Sequence, residues 1–141
     1  MPTAAAQEVV KQYLDQLQAL ELEANADLFA PEGVMEFPFA PAGTPGRIEG
    51  REEIRRLLVA GGERARRMGH QPTGLHHLVT HLTQDPEVVI VEFEAHGQVG
   101  APGNTYRLPF IQVFRVRDGA ILSIRDYWTA EGREALNEAA G

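Results

Sequence analysis

The sequence predicts one α+β domain in which helices pack on a single face of an antiparallel sheet. Three observations carry this. Apolar residues recur at helical spacing only in the first half of the chain, alternation with period two takes over from His70 onward, and no internal repeat or low-complexity segment interrupts them. At 141 residues a chain buries about 68% of its unfolded surface around one core, so residues 1–141 read as a single domain. Hydrophobic residues make up 43% and charged residues 23%, an ordinary globular composition that predicts order throughout.

Thr3 is placed to cap a first helix whose stripe is Val9, Val10, Tyr13, Leu14, Leu17 and Leu20. Ala24 to Ala30 reads as a short second helix, ended by Pro31 and Gly33. Val34 to Phe39 follows as a strand, and Pro41, Gly43, Pro45 and Gly46 mark a loop. A third helix has Ile54, Leu57, Leu58 and Ala65 on its buried side. Gly61 and Gly62 predict a bend in it, each costing up to ~1 kcal/mol relative to alanine. Four strands come next: Leu75 to Thr83, Val88 to His96, Tyr106 to Arg117 and Ala120 to Trp128. Asp85-Pro86 separates the first pair. Asp118-Gly119 joins the last pair as a two-residue hairpin turn, which needs positive φ at both positions. A final helix is expected over Glu131 to Ala139.

Alternation assigns the strand faces. Val89, Val91, Phe93 and Ala95 share one face with Tyr106, Leu108, Phe110, Gln112, Phe114 and Val116, and with Leu122, Ile124, Asp126 and Trp128. Glu92, Glu94, His96, Arg107, Arg115, Arg117 and Arg125 fall behind them, where cross-strand ion pairs contribute ~0.2 to 1 kcal/mol each. Asp126 breaks this pattern, as a carboxylate between Ile124 and Trp128 on the apolar face. Desolvation there would raise its pKa toward the range of a general acid or base. The competing reading has an arginine or a backbone amide satisfying it, or strand twist turning it outward.

Several chemistries are excluded. There is no cysteine, which removes disulfides, zinc thiolate sites and thiol catalysis. The only serine, Ser123, lies outward on a strand, and the only lysine, Lys11, sits on the first helix, so neither a serine hydrolase nor a Schiff-base enzyme is expected. Gly97, Gly100 and Gly103 occupy a hairpin connection and open no helix, so no phosphate-cradling loop and no cofactor are implied. A net charge of −7 argues against nucleic acid. Arg64, Arg66 and Arg67 form a solvated helix end. Neither a signal peptide nor an apolar run of ~18 residues is visible, so a cytoplasmic protein without membrane contact is expected.

Histidine placement is less settled. His77 and His81 would be ~13 Å apart on a strand, too far to share a metal ion. Either His76 or His77 must face inward, but Leu78 and Leu82 favour one parity while Leu75 and Val79 favour the other. His77 is the candidate proton shuttle beside Asp126. Tyr13 is the candidate donor to a developing oxyanion, with core packing as its alternative. Of Glu36 and Phe37, alternation buries one, and Phe37 is the apolar choice. A closed apolar pocket would then be lined by Tyr13, Phe37, Phe93, Tyr106, Phe110, Ile124 and Trp128.

The stretches "LFAPEGVMEFPFAP" from Leu28, "IEGREEIRRLL" from Ile48 and "FRVRDGAILSIRDYW" from Phe114, taken in order with the first helix, resemble the SnoaL-like branch of the nuclear-transport-factor-2-like superfamily. "TQDPEVVIVEFEAHG" from Thr83, followed by Tyr106, "FIQVF" and "RDYW", is similar to the phenazine-biosynthesis A/B subgroup. The resemblance implies a conical domain, its three or four helices packed on the concave face of a curved antiparallel sheet around a deep apolar pocket. It also implies a homodimer formed through the outer sheet face, and acid-base chemistry without a cofactor. Asp126 in "RDY" matches the acid-base carboxylate of the phenazine-type proteins. Two positions depart from the relatives. Phe37 stands where ketosteroid isomerases carry their aspartate base, and Leu108-Pro109 replaces the Asn-His pair of phenazine-type proteins, so neither mechanism transfers intact.

The expected function is that of an acid-base enzyme of isomerase, cyclase or dehydratase type, acting on a cyclic or polyketide-like carbonyl compound. The alternative is a non-catalytic ligand-binding or dimerisation module of the same fold.

Overall fold

The computed structural model describes residues 2–101, 103–129 and 132. Helix α1 spans Pro2–Gln18 and α2 spans Leu22–Asp27; β1 is Phe29–Glu36, β2 is Arg47–Glu49 and α3 is Arg51–Arg67. Strands β3 (Gln71–Leu82), β4 (Val88–Gln98), β5 (Thr105–Arg117) and β6 (Ala120–Tyr127) complete one curved sheet of order β2-β1-β6-β5-β4-β3. The expected α+β architecture is present. The final helix predicted over Glu131 to Ala139 lies outside the described residues.

The long strands follow the alternation except at Leu122, where a register shift between Arg115 and Val116 puts Ile121 into the core in its place. Val89 faces Phe114 across the ladder, Val91 faces Gln112 and Phe93 faces Phe110; Phe114 in turn faces Ile124 and Gln112 faces Asp126. These residues form the inner face. Together with Ala6, Val10, Tyr13 and Leu14 of α1 and Ile54 of α3, the apolar ones make the core. The β5–β6 turn has φ of 51° at Asp118 and 78° at Gly119, the positive pair that the Asp-Gly signature predicts.

Five local readings need correction. Strand β1 begins at Phe29, so Ala30, Pro31 and Gly33 are strand residues rather than a helix end. Pairing with β6 shifts register between Phe29 and Val34, and Pro31 falls in that irregular stretch, where a missing N–H breaks no ladder bond. Moreover, β1 runs parallel to β6, so the sheet is not wholly antiparallel. The short edge strand β2 emerges from the stretch read as loop and helix approach. Helix α3 runs through Gly61 and Gly62 without interruption. A Cβ at Gly62 would come within 3.2 Å of Leu22 Cδ1, so this glycine serves close packing of α3 against α2. Finally, Arg115 and Arg117 pair with Glu87, and Arg115 also with Asp85, rather than with Glu92 and Glu94.

The parity conflict on β3 has a physical resolution. His76 pairs with Glu94 and Val79 with Glu92, so two residues, His77 and Leu78, stand opposite the single Phe93. This is a β-bulge, with His77 at φ 56°. It resets the alternation, so Leu75 before it and Leu78 and Thr80 after it all point toward α1. Leu75, Leu78 and Leu82 thus share the inner face, and Val79 is turned outward opposite Glu92.

Candidate active site on the concave sheet face

Asp126 is an inward residue, 6% exposed, set between the fully buried Ile124 and the half-buried Trp128. Its neighbour across the ladder is Gln112, also buried. Tyr13 reaches the same region from α1, its ring edge-on to Phe114 at 5.4 Å and to Phe29 at 6.3 Å. Burial first, and then the negative charge of Asp126, push the Tyr13 phenol well above its ordinary pKa. Tyr13 therefore keeps its hydroxyl proton at physiological pH and has it available to donate. Beyond Asp126 the floor is aromatic: Phe93 stacks on Phe110 at 5.3 Å, and Phe37 lies 6.2 Å from Trp128. Glu36, the alternative to Phe37, turns outward to Arg47.

His77 is not in this region. It is exposed at the bulge, and its charge is felt by Glu94 on the outer face. Strand β3 is separated from β6 by two strands, or about 14 Å. His76 is outward too, its ring stacked on His96 at 3.7 Å. Neither histidine faces Asp126, because the positive φ at the bulge throws His77 to the side opposite Leu78.

The inner face instead carries His70, which the sequence reading passed over. His70 lies between α3 and β3, and its Nε2 is hydrogen-bonded to the Tyr106 hydroxyl. The rings meet edge-on at 5.1 Å. Burial lowers the His70 pKa and pushes Tyr106 up to about 12, so the pair is neutral at pH 7. Gly97 faces Tyr106 across the ladder, and a Cβ there would collide with the Tyr106 ring. An inward glycine in an apolar strand was the available signal that something large crosses it. Six residues along β5 separate Tyr106 from Gln112, so the polar ends of this face stand roughly 20 Å apart, with Phe93, Phe110, Ala95 and Leu108 between them.

Among the described residues, the predicted pocket lining is divided between a cleft and the core. Phe110 and Trp128, with Leu108, Pro109 and Thr129, line only a narrow cleft, whereas Ile124 and Tyr13 are packed into the core. A groove of about 670 Å³ lies elsewhere, between α1 and β3, lined by Val10, Leu14, Leu75, Leu78 and Thr80 and by polar residues of α1. Among the described residues, no group of three or more histidine or carboxylate side chains is placed to hold a metal ion. None of the helices among these residues is long and apolar enough to cross a membrane.

The family model described as "SnoaL-like domain" matches residues 10–124. The chain belongs to the SnoaL-like family. An uncharacterised PhzA/B-like protein of Pseudomonas aeruginosa is 36% identical over 123 residues, covering 87% of this chain and 83% of that protein. The crystal structure of a candidate isomerase from Bacillus subtilis superposes with a TM-score of 0.83 at 25% identity, covering 99% of this chain and 96% of that one. A candidate polyketide cyclase from Xanthomonas campestris pv. campestris shares the fold, with a TM-score of 0.73 at 20% identity and 99% of each chain covered. The SnoaL-like fold accounts for the curved, unclosed sheet with its helices, and the fold of the candidate cyclase is the same.

Proposed function

We infer that this SnoaL-like protein binds a cyclic or polyketide-like carbonyl compound on its concave face and moves a proton on it. The observation that carries this reading is the placement of Asp126 and Tyr13, a buried carboxylate and a permanently protonated phenol that interact electrostatically beside an aromatic floor. In the reaction, the Asp126 carboxylate removes a proton from carbon next to the carbonyl. The electron pair moves onto oxygen, and the Tyr13 hydroxyl donates a hydrogen bond to the resulting enolate. Asp126 then returns its proton to a different carbon, giving an isomer, or to a leaving hydroxyl, giving dehydration. No cofactor enters. Similarity to a candidate isomerase, and a fold shared with a candidate polyketide cyclase, support the class of chemistry, and His70–Tyr106 supplies a second polar anchor at the far end.

A non-catalytic binding role is the second reading, favoured by the narrowness of the cleft beside Trp128 compared with the open α1–β3 groove. In either case we propose a homodimer formed through the outer sheet face, where Val79 and Ile111 are exposed. Deuterium exchange at the α-carbon of cyclic ketones, followed by NMR, tests the catalytic reading. Wild type should catalyse exchange. Asp126→Asn should lose it while still quenching Trp128 fluorescence on ligand addition; exchange that persists in Asp126→Asn removes Asp126 from the mechanism.

A further inference from the structure

Gln112 is the one side chain on the inner face of β5 that is buried and polar without being aromatic. It is 3% exposed, and its Oε1 has no hydrogen-bond partner among the described residues. Its ladder neighbours on either side are Val91 and Asp126, with Cβ atoms of such pairs ~4.5–5.5 Å apart. The rest of that row, Leu108, Phe110, Phe114 and Val116, is apolar. An orphaned amide oxygen in such a place costs ~1–3 kcal/mol, and a leucine or methionine would fill the same space without that cost. Among the described residues, neither α1 nor the neighbouring strands bring a donor to that oxygen.

We propose that Gln112 is a specificity-determining residue, which hydrogen-bonds a hydroxyl group on the ligand next to the point where Asp126 acts. This rests on the reading that the concave face binds a carbonyl compound, and it narrows the ligand to a hydroxylated one. A hydroxyl both donates and accepts, so it serves whichever end of the carboxamide meets it. The selectivity follows from burial. A ligand lacking the hydroxyl leaves the amide unpaired in the complex, which is how a polar pocket rejects an apolar analogue more firmly than an apolar pocket rejects a polar one.

The test uses α-tetralone and its ring-hydroxylated analogue, titrated against Trp128 fluorescence with wild type, Gln112→Leu and Gln112→Met. Wild type is expected to bind the hydroxylated compound at least about tenfold more tightly. Both variants should bring that ratio close to one by weakening the hydroxylated ligand alone. Both should also raise the thermal midpoint, because an unpaired buried amide has been replaced by an apolar group. A purely structural glutamine predicts the opposite shift in midpoint and an unchanged ratio, and either result overturns the proposal. If wild type binds the two compounds equally, the proposal fails while the binding face stands. If wild type binds neither, the binding face fails and the proposal falls with it. Should the leucine variant not fold, a methionine variant that is also less stable than wild type counts as the same refutation.

Discussion

The two faces of β4, β5 and β6 use the same residue types to opposite effect. On the outer face, Glu94 is hydrogen-bonded to His96, and this holds its carboxyl below the usual range; His81 Nε2 lies 2.6 Å from a Glu92 carboxylate oxygen. These charges are solvated and paired. On the inner face, Asp126 and Gln112 sit among apolar side chains, and His70 meets a phenol rather than a carboxylate. Outside, polar groups are held by each other at little cost, and removing one changes little. Inside, each polar group is desolvated and must be justified by something it does. The inner face is therefore where function is to be sought, and the outer face is where assembly would be read.

Truncation should separate the faces most sharply. Phe114→Ala on the inner side of β5 removes a fully buried ring that packs on Tyr13 and is expected to cost about 3–5 kcal/mol in urea unfolding. Ile111→Ala, on the outer side of the same strand and 43% exposed, should stay within about 0.5 kcal/mol. A loss at Ile111 as large as that at Phe114 would break the contrast and indicate a second copy covering the outer face, which light scattering at falling protein concentration would reveal as dissociation.

Gly97→Ala should come next. The added methyl meets the Tyr106 ring, and overpacking of this kind costs typically ~1–3 kcal/mol. Displacement of the Tyr106 ring should open His70 to water and relieve the burial that lowers its pKa, visible as a rise toward ~6.5 in NMR titration.

His70 itself gives a smaller, pH-dependent effect. Its folded pKa lies below the unfolded value, so the unfolded chain binds the proton more readily. Stability is thus fully present above the unfolded pKa of about 6.5 and declines as pH falls from there through the folded pKa. His70→Gln should flatten that part of the stability profile, and an unchanged slope would mean that His70 titrates freely. The smallest effect belongs to Glu87, whose carboxyl is held low by Arg117 and then Arg115. Its stabilisation is present above the unfolded carboxylate pKa and lost as pH falls through the folded one. Glu87→Gln should trim the acid limb only slightly, since the pair is solvated, and the difference should vanish in high salt.

Much of this contrast was legible in the sequence where strands are long and regular. Alternation along β4, β5 and β6 placed Phe93, Phe110, Ile124 and Asp126 on one face, and the Asp118-Gly119 turn paired Arg117 with Ala120 at the hairpin end. Legibility failed wherever one residue resets a period. The bulge at His77 and Leu78 split the signal on β3 and lent His77 an inward reading that its backbone rules out. The irregular start of β1 turned Pro31 from a helix terminator into a strand residue. His70 was invisible because a residue between a helix and a strand belongs to neither period; only its partner, opposite an inward glycine, left a trace. Gln112 was seen on the right face, but the orphaned state of its amide is a fact of packing that no spacing rule contains.

The parallel pairing of β1 with β6 also sets the order in which the molecule can be made. Phe29 lies against Ile121, more than ninety residues later in the chain. On a ribosome adding about 5–20 residues per second, β1 must wait roughly 5–20 s for its neighbour to be synthesised. Throughout that interval the apolar side of β1, with Phe29 and Met35, has the support of the helices and of β2 but not of the sheet's central strands. The nascent chain is therefore most exposed to trapping by chaperones at its first strand, and cyclic rearrangement of the gene that brings β1 and β6 together would shorten that exposure.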